Sequence, residues 1–293
     1  MITCIIKETL PDERFAMKKD LALPALALAG GAAGFFLRRW QLDSAYRPDT
    51  GLFVHGAPAT YALLGLTSLL ALLLLVFLRE KREGLDDFLP AFGCPATGQM
   101  TLFAAAWILM DAAGIFGMMD GFKALRLWQA SPEAYQLSLP VSQLLTGALC
   151  VLAGFGTLFL GRMAYRGTLG RECFFAPFPA LAALVWLFST HLKHGTEPVL
   201  MKYAFTLFAV LLFTLAHYYA AGFLYGRPRP RLTAFCALMG AALGIVSLAD
   251  GLDLFTAVAT VAFALSALAL ARALLGGPWP DRMPPAEEDI DDA

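Results

Sequence analysis

Between residues 21 and 275 the chain carries eight long apolar stretches, and none has a lysine or arginine in its middle. They run 21 to 37, 58 to 78, 99 to 119, 140 to 161, 176 to 192, 199 to 225, 232 to 249 and 254 to 275. About 20 apolar residues cross the ~30 Å hydrocarbon layer of a bilayer as a helix. Inside that layer a backbone must satisfy its own hydrogen bonds, which a helix does. The pattern predicts an all-α fold, a polytopic transmembrane helical bundle of eight helices, with the lipid bilayer as its first partner. At 58% hydrophobic and 15% charged residues, the composition lies outside the soluble range of about 45–50% apolar.

Three segments are expected. Residues 1–20 form a charged N-terminal segment, 21–275 a single transmembrane domain, and 276–293 a proline-rich and then acidic tail whose composition predicts disorder. Met17, directly before Lys18-Lys19 and the first apolar run, is a candidate translation start. That run carries a signal-like pattern at Ala27-Leu28-Ala29, but Pro24 interrupts it and apolarity persists to Leu37, so a retained helix is expected.

Lysine and arginine near helix ends collect on the cytoplasmic side. With the N-terminus inside, that side carries Lys7, Arg14, Lys18, Lys19, Arg79, Lys81, Arg82, Arg162, Arg166, Arg171, Arg227, Arg229, Arg231, Arg272 and Arg282. The outer side keeps Arg38, Arg39, Arg47, Lys123, Arg126, Lys193 and Lys202. Both termini are therefore expected to be cytoplasmic. Arginine outnumbers lysine and the loops are short, which suits a bacterial cytoplasmic membrane.

Two outer segments are expected to carry structure of their own. Residues 38–57 mix aromatics, charges and turn residues, as in a folded loop lying on headgroups. In 121–139, Phe122, Leu125 and Trp128 recur at helical spacing beside Lys123 and Arg126, which predicts a short interfacial helix, with a new helix start at Ser131-Pro132-Glu133. Asp250-Gly251-Leu252-Asp253 predicts a tight helical hairpin.

Ionisable residues inside apolar spans are the first functional candidates, because a charge at mid-membrane costs about 2.5–3.5 kcal/mol on insertion scales. Asp111, near the middle of the third span, reads as a proton or cation site, or as a carboxyl bonded to a neighbouring helix. His217, followed by Tyr218, reads as a proton-handling or quinol-contacting group, or as one end of an interhelical hydrogen bond. At the outer face, His191, His194 and Glu197 have too few partners for a zinc site, which wants three or four ligands. Arg38 and Arg39 defy the charge bias and read either as an anion-recognising pair, with Asp43, Arg47 and Asp49 completing an ion network, or as anchors at the interface beside Trp40.

The glycine pairs Gly30/Gly34 and Gly240/Gly244, and Gly147, Gly154 and Gly156 of the fourth span, predict close helix approach. Five cysteines form no CxxC pair and read as unpaired thiols. No cofactor, metal or nucleic-acid partner is expected, no phosphate loop, GxSxG, HExxH or EF-hand motif occurs, and no aqueous segment reaches domain size. Three functions fit: a non-catalytic membrane subunit or sensor-like protein with a membrane-protein partner or a second copy, a small-solute or ion transporter with a midplane site near Asp111, and a quinol-handling or other membrane-embedded enzyme subunit.

Overall fold

A computed structural model describes residues 11–47, 49–79, 85–134, 136–194 and 202–276, with side chains from residue 21 onward. The helices are α1 Pro11–Ala45, α2 Pro58–Phe77, α3 Phe88–Phe92, α4 Thr97–Ala130, α5 Ser138–Arg166, α6 Phe178–Lys193, α7 Ala204–Gly222, α8 Pro230–Ser247 and α9 Leu254–Leu275. Among the described residues the only strands are β1 Tyr46–Arg47 and β2 Leu52–Phe53, paired antiparallel as a small hairpin. Eight helices are long and apolar enough to cross a membrane, and the chain is accordingly a multi-pass membrane protein built as an all-α bundle. Glu197, the first ten residues and the tail from 277 lie outside the described residues.

Helix ends follow local chemistry. Pro58 and Pro230 open α2 and α8, where a missing N–H leaves no partner wanting. Asp253 caps α9, its Oδ1 accepting from Thr256 N at 2.8 Å, which satisfies one of the amides that a helix start leaves open. The α8–α9 connection is as tight as Asp250-Gly251-Leu252-Asp253 predicts, with Gly251 at φ +69 in the left-handed region that glycine enters without steric cost.

The structure corrects three expectations about the outer segments. α1 continues unbroken to Ala45, so the first eight residues of the 38–57 loop are helix and the hairpin follows it. α4 runs through Ala130, so Phe122, Leu125 and Trp128 belong to its last turns and not to a separate interfacial helix. Ser131 terminates α4, its N–H bonded to Leu127 O and Trp128 O, and the next helix begins at Ser138. A Ser-Pro-Glu triplet suits a helix start, but here α4's own carbonyls claim the serine amide.

α8 is the central helix, with 78% of its span buried, and α2 is peripheral, with 17%. α8 packs on α1, α7 and α9, while α9 packs on α4 as well and α6 bridges α5 and α7. The tightest seam joins α4 to α5. A Cβ at Gly114 would stand 2.8 Å from Gly147 O and one at Gly121 2.9 Å from Leu144 N, so glycine there lets the backbones touch. Chain direction alternates through the bundle. One end, called the Arg38 end, gathers the hairpin and the α4–α5, α6–α7 and α8–α9 connections, and the opposite Arg229 end gathers the α5–α6 and α7–α8 connections.

Candidate functional site

Polar side chains concentrate at the Arg38 end, where they form a clasp and a pocket. The clasp is built on Arg38, which is fully buried. Its Nε donates to Asp250 Oδ1 at 2.6 Å, Nη1 to Gln41 Oε1 at 2.6 Å and Nη2 to the Lys202 carbonyl at 2.9 Å. Gln41 in turn donates to Thr60 Oγ1 of α2 at 2.8 Å. The guanidinium also lies 5.0 Å from the Phe205 ring and 5.5 Å from that of Phe53. One side chain thereby ties α1 to α2, α7, the hairpin and the α8–α9 turn. A charge this buried is tolerable only when paired and hydrogen-bonded, and Arg38 is both.

The pocket lies between α4, α5, α6 and α9, a cavity of about 100 Å³ bounded by Asp120, Gln143, Trp186, Ser189, Lys193 and Asp253, with Thr190 and Thr256 beside them. Its charged groups are paired: Lys193 with Asp253 in the lining, and Asp120 at 2.9 Å with Lys123, which stands exposed outside it. Burial on its own would raise the Asp253 carboxyl, but the bonds from Lys193 and the Thr256 amide outweigh it and hold the group below the ordinary carboxylate range. The Ser142 and Ser189 hydroxyls are bonded at 3.2 Å. Trp186 is 1% exposed and its Nε1 has no hydrogen-bond partner among the described residues; the same holds for Gln143 Oε1. Leaving a buried donor or acceptor unmade costs about 1–3 kcal/mol. Both residues line this small polar cavity.

Below Trp186 the bundle closes. Its indole packs 5.9 Å from the Phe255 ring and 5.6 Å from Phe263, which meets Phe213 at 6.0 Å and His217 at 5.5 Å. His217 is buried, with Nδ1 donating to the Phe213 carbonyl at 2.8 Å. A carbonyl can only accept, so the proton sits on Nδ1 and Nε2 takes the Ser266 hydroxyl of α9 at 3.0 Å. Both ring nitrogens are satisfied in an apolar shell. Tyr218 points the other way, exposed on the flank of α7.

Asp111 stands at mid-length of α4 on the α4–α5 seam, where a Cβ at Gly154 would collide with its Oδ1. The Trp107 indole lies one turn earlier, and neither Asp111 Oδ1 nor Trp107 Nε1 has a hydrogen bond of normal geometry. Asp111 meets Trp107 and Gly154 while His217 bonds to Phe213 and Ser266, so no hydrogen bond among the described residues joins the two into one relay. It does not assemble the outer ion network either. Arg38 turns inward to Asp250, 212 positions away, while Arg39, Asp43, Arg47 and Asp49 remain exposed. His191 is exposed and His194 stacks on Tyr203 at 4.7 Å. No group of three or more potential metal ligands occurs among the described residues.

Sequence reasoning missed Trp186, Gln143 and Ser189. The signal available was a glutamine one turn inside the fifth helix and a serine-threonine pair closing the sixth. No protein-family model, curated protein or solved structure matches the chain.

Proposed function

We propose that this protein is a non-catalytic, sensor-like membrane protein that binds a small polar solute in the pocket at the Arg38 end. The observation that carries this reading is that Trp186, whose buried indole N–H has no hydrogen-bond partner among the described residues, lines the pocket. Its partner should be an acceptor atom of a neutral molecule, because the pocket's carboxylates and ammonium groups already balance one another. The aromatic stack of Trp186, Phe263 and Phe213 under the pocket favours a dead-ended binding site over a through-path. The charge bias supports an orientation with the pocket on the outer side of a bacterial cytoplasmic membrane and both termini inside.

Asp111 supports a second reading, a transporter with a midplane site, because its buried Oδ1 makes no hydrogen bond of normal geometry with a described residue. One experiment separates the two. Gln143→Cys and Asp111→Cys are placed in a background with the five native cysteines replaced, and intact cells are treated with a membrane-impermeant maleimide. The binding reading expects labelling of the cysteine at 143 from outside and none at 111 until the protein is denatured. Labelling at 111 in the folded protein would move the site to mid-membrane and favour transport.

A further inference from the structure

The Arg229 end carries a second concavity unrelated to the solute pocket. A groove of about 920 Å³ runs along the end of α7 and is lined by Tyr218, Tyr219, Tyr225, Arg227 and Arg229, with Pro177 on its far wall. Its size is that of a pocket for an organic ligand. Its lining changes character along its length. Tyr218 and Ala221 lie on the flank of α7, with Tyr218 58% exposed toward what the bilayer would fill. The arginines stand at the rim, past the helix end.

The rim is held stiffly. Gly226 turns the chain at φ +67, Arg227 N–H bonds back to Gly222 O at 2.9 Å, and Arg227-Pro228-Arg229-Pro230 leads straight into α8. Proline at alternate positions fixes φ and leaves the two arginines little backbone freedom. Arg229 lies over the Tyr219 ring at 5.9 Å. Among the described residues no carboxylate lines the groove, and neither arginine makes an ion pair with one of them.

Two guanidiniums without an ion pair among the described residues, at the rim of an aromatic groove, match one ligand shape: an anionic head with an apolar chain. We propose that this groove is a binding site for an anionic phospholipid, its phosphate held by Arg227 and Arg229 and one acyl chain laid along Tyr218. Guanidinium forks suit phosphate oxygens, and arginines beside a membrane-spanning helix draw anionic lipid. The site is independent of the solute pocket, and either can fail alone.

The test uses the full chain in neutral detergent, titrated with phosphatidylglycerol or with phosphatidylcholine of the same acyl chains, with bound lipid counted by native mass spectrometry. The expected result is preferential phosphatidylglycerol binding, lowered about tenfold by the double substitution Arg227→Gln/Arg229→Gln. The pair Arg162→Gln/Arg166→Gln, exposed at the same end, removes equal charge and should leave binding unchanged. Glycerol phosphate, a headgroup without chains, should not displace the lipid. Equal binding of both lipids would overturn the proposal, as would equal loss in the two arginine pairs or displacement by glycerol phosphate. So would a gain of lipid binding only after Glu287, Glu288, Asp289, Asp291 and Asp292 are changed to their amides, which would make the chain's own tail the occupant. Unaltered melting temperatures in both arginine pairs establish that the variants fold.

Discussion

Arg38 shows how far a residue can be read from its neighbours in sequence. Its position against the charge bias marked it as unusual, but its role is set by Asp250, 212 positions away, and no local pattern carries that pairing. Removing one partner of a buried ion pair costs about 3–5 kcal/mol, because it strands the other charge, whereas replacing both with apolar groups is often neutral. Asp250→Ala should therefore destabilise the protein by roughly that amount, and Arg38→Met/Asp250→Leu should be more stable than Asp250→Ala alone. Denaturant titration in detergent measures both. Asp253 offers a prediction in pH. Its carboxyl titrates lower folded than unfolded, so it contributes stability that is full above the ordinary carboxylate range and fades as pH falls through the folded value. Asp253→Asn should flatten the acid limb of melting temperature against pH, and an unchanged limb would contradict the cap and ion pair.

At the scale of elements, the eight apolar runs were plain because hydrocarbon tolerates little else, and each became a helix. Their ends were not plain. α1 and α4 overrun their apolar cores to Ala45 and Ala130, since a helix continues into polar sequence wherever nothing stops it. The α4–α5 seam was half visible: Gly147 and Gly154 were recognised, but Gly114, Gly117 and Gly121 on the facing helix complete it. Gly114→Leu should cost about 1–3 kcal/mol by overpacking, since even a Cβ there meets Gly147 O at 2.8 Å. Gly65→Ala on α2, with open space around it, should not destabilise and should add up to about 1 kcal/mol, since alanine costs less than glycine in a helix interior. Equal effects of the two substitutions would mean that the seam is not the close contact described.

Taken whole, the molecule is polar at its Arg38 end and packed with apolar side chains beneath the pocket. Arg38, Asp250, Lys193 and Asp253 ring the end, Trp186 borders the pocket, and Phe263, Phe213 and the bonded His217 fill the space beneath. The sequence could place single polar residues at approximate depths, but it could not show that four helices bring Gln143, Trp186 and Ser189 to one cavity. Conversely, Asp111 and His217 stood out in the sequence and are not joined in space. The most direct test of the binding account is the fluorescence of Trp186 as the sole tryptophan, with Trp40, Trp107, Trp128 and Trp279 changed to phenylalanine. A solute pocket predicts that acrylamide, a small neutral amide, quenches the emission of the folded protein from the aqueous side while brominated lipid does not. Emission that acrylamide reaches only after unfolding would contradict it and leave Trp186 as a packing residue.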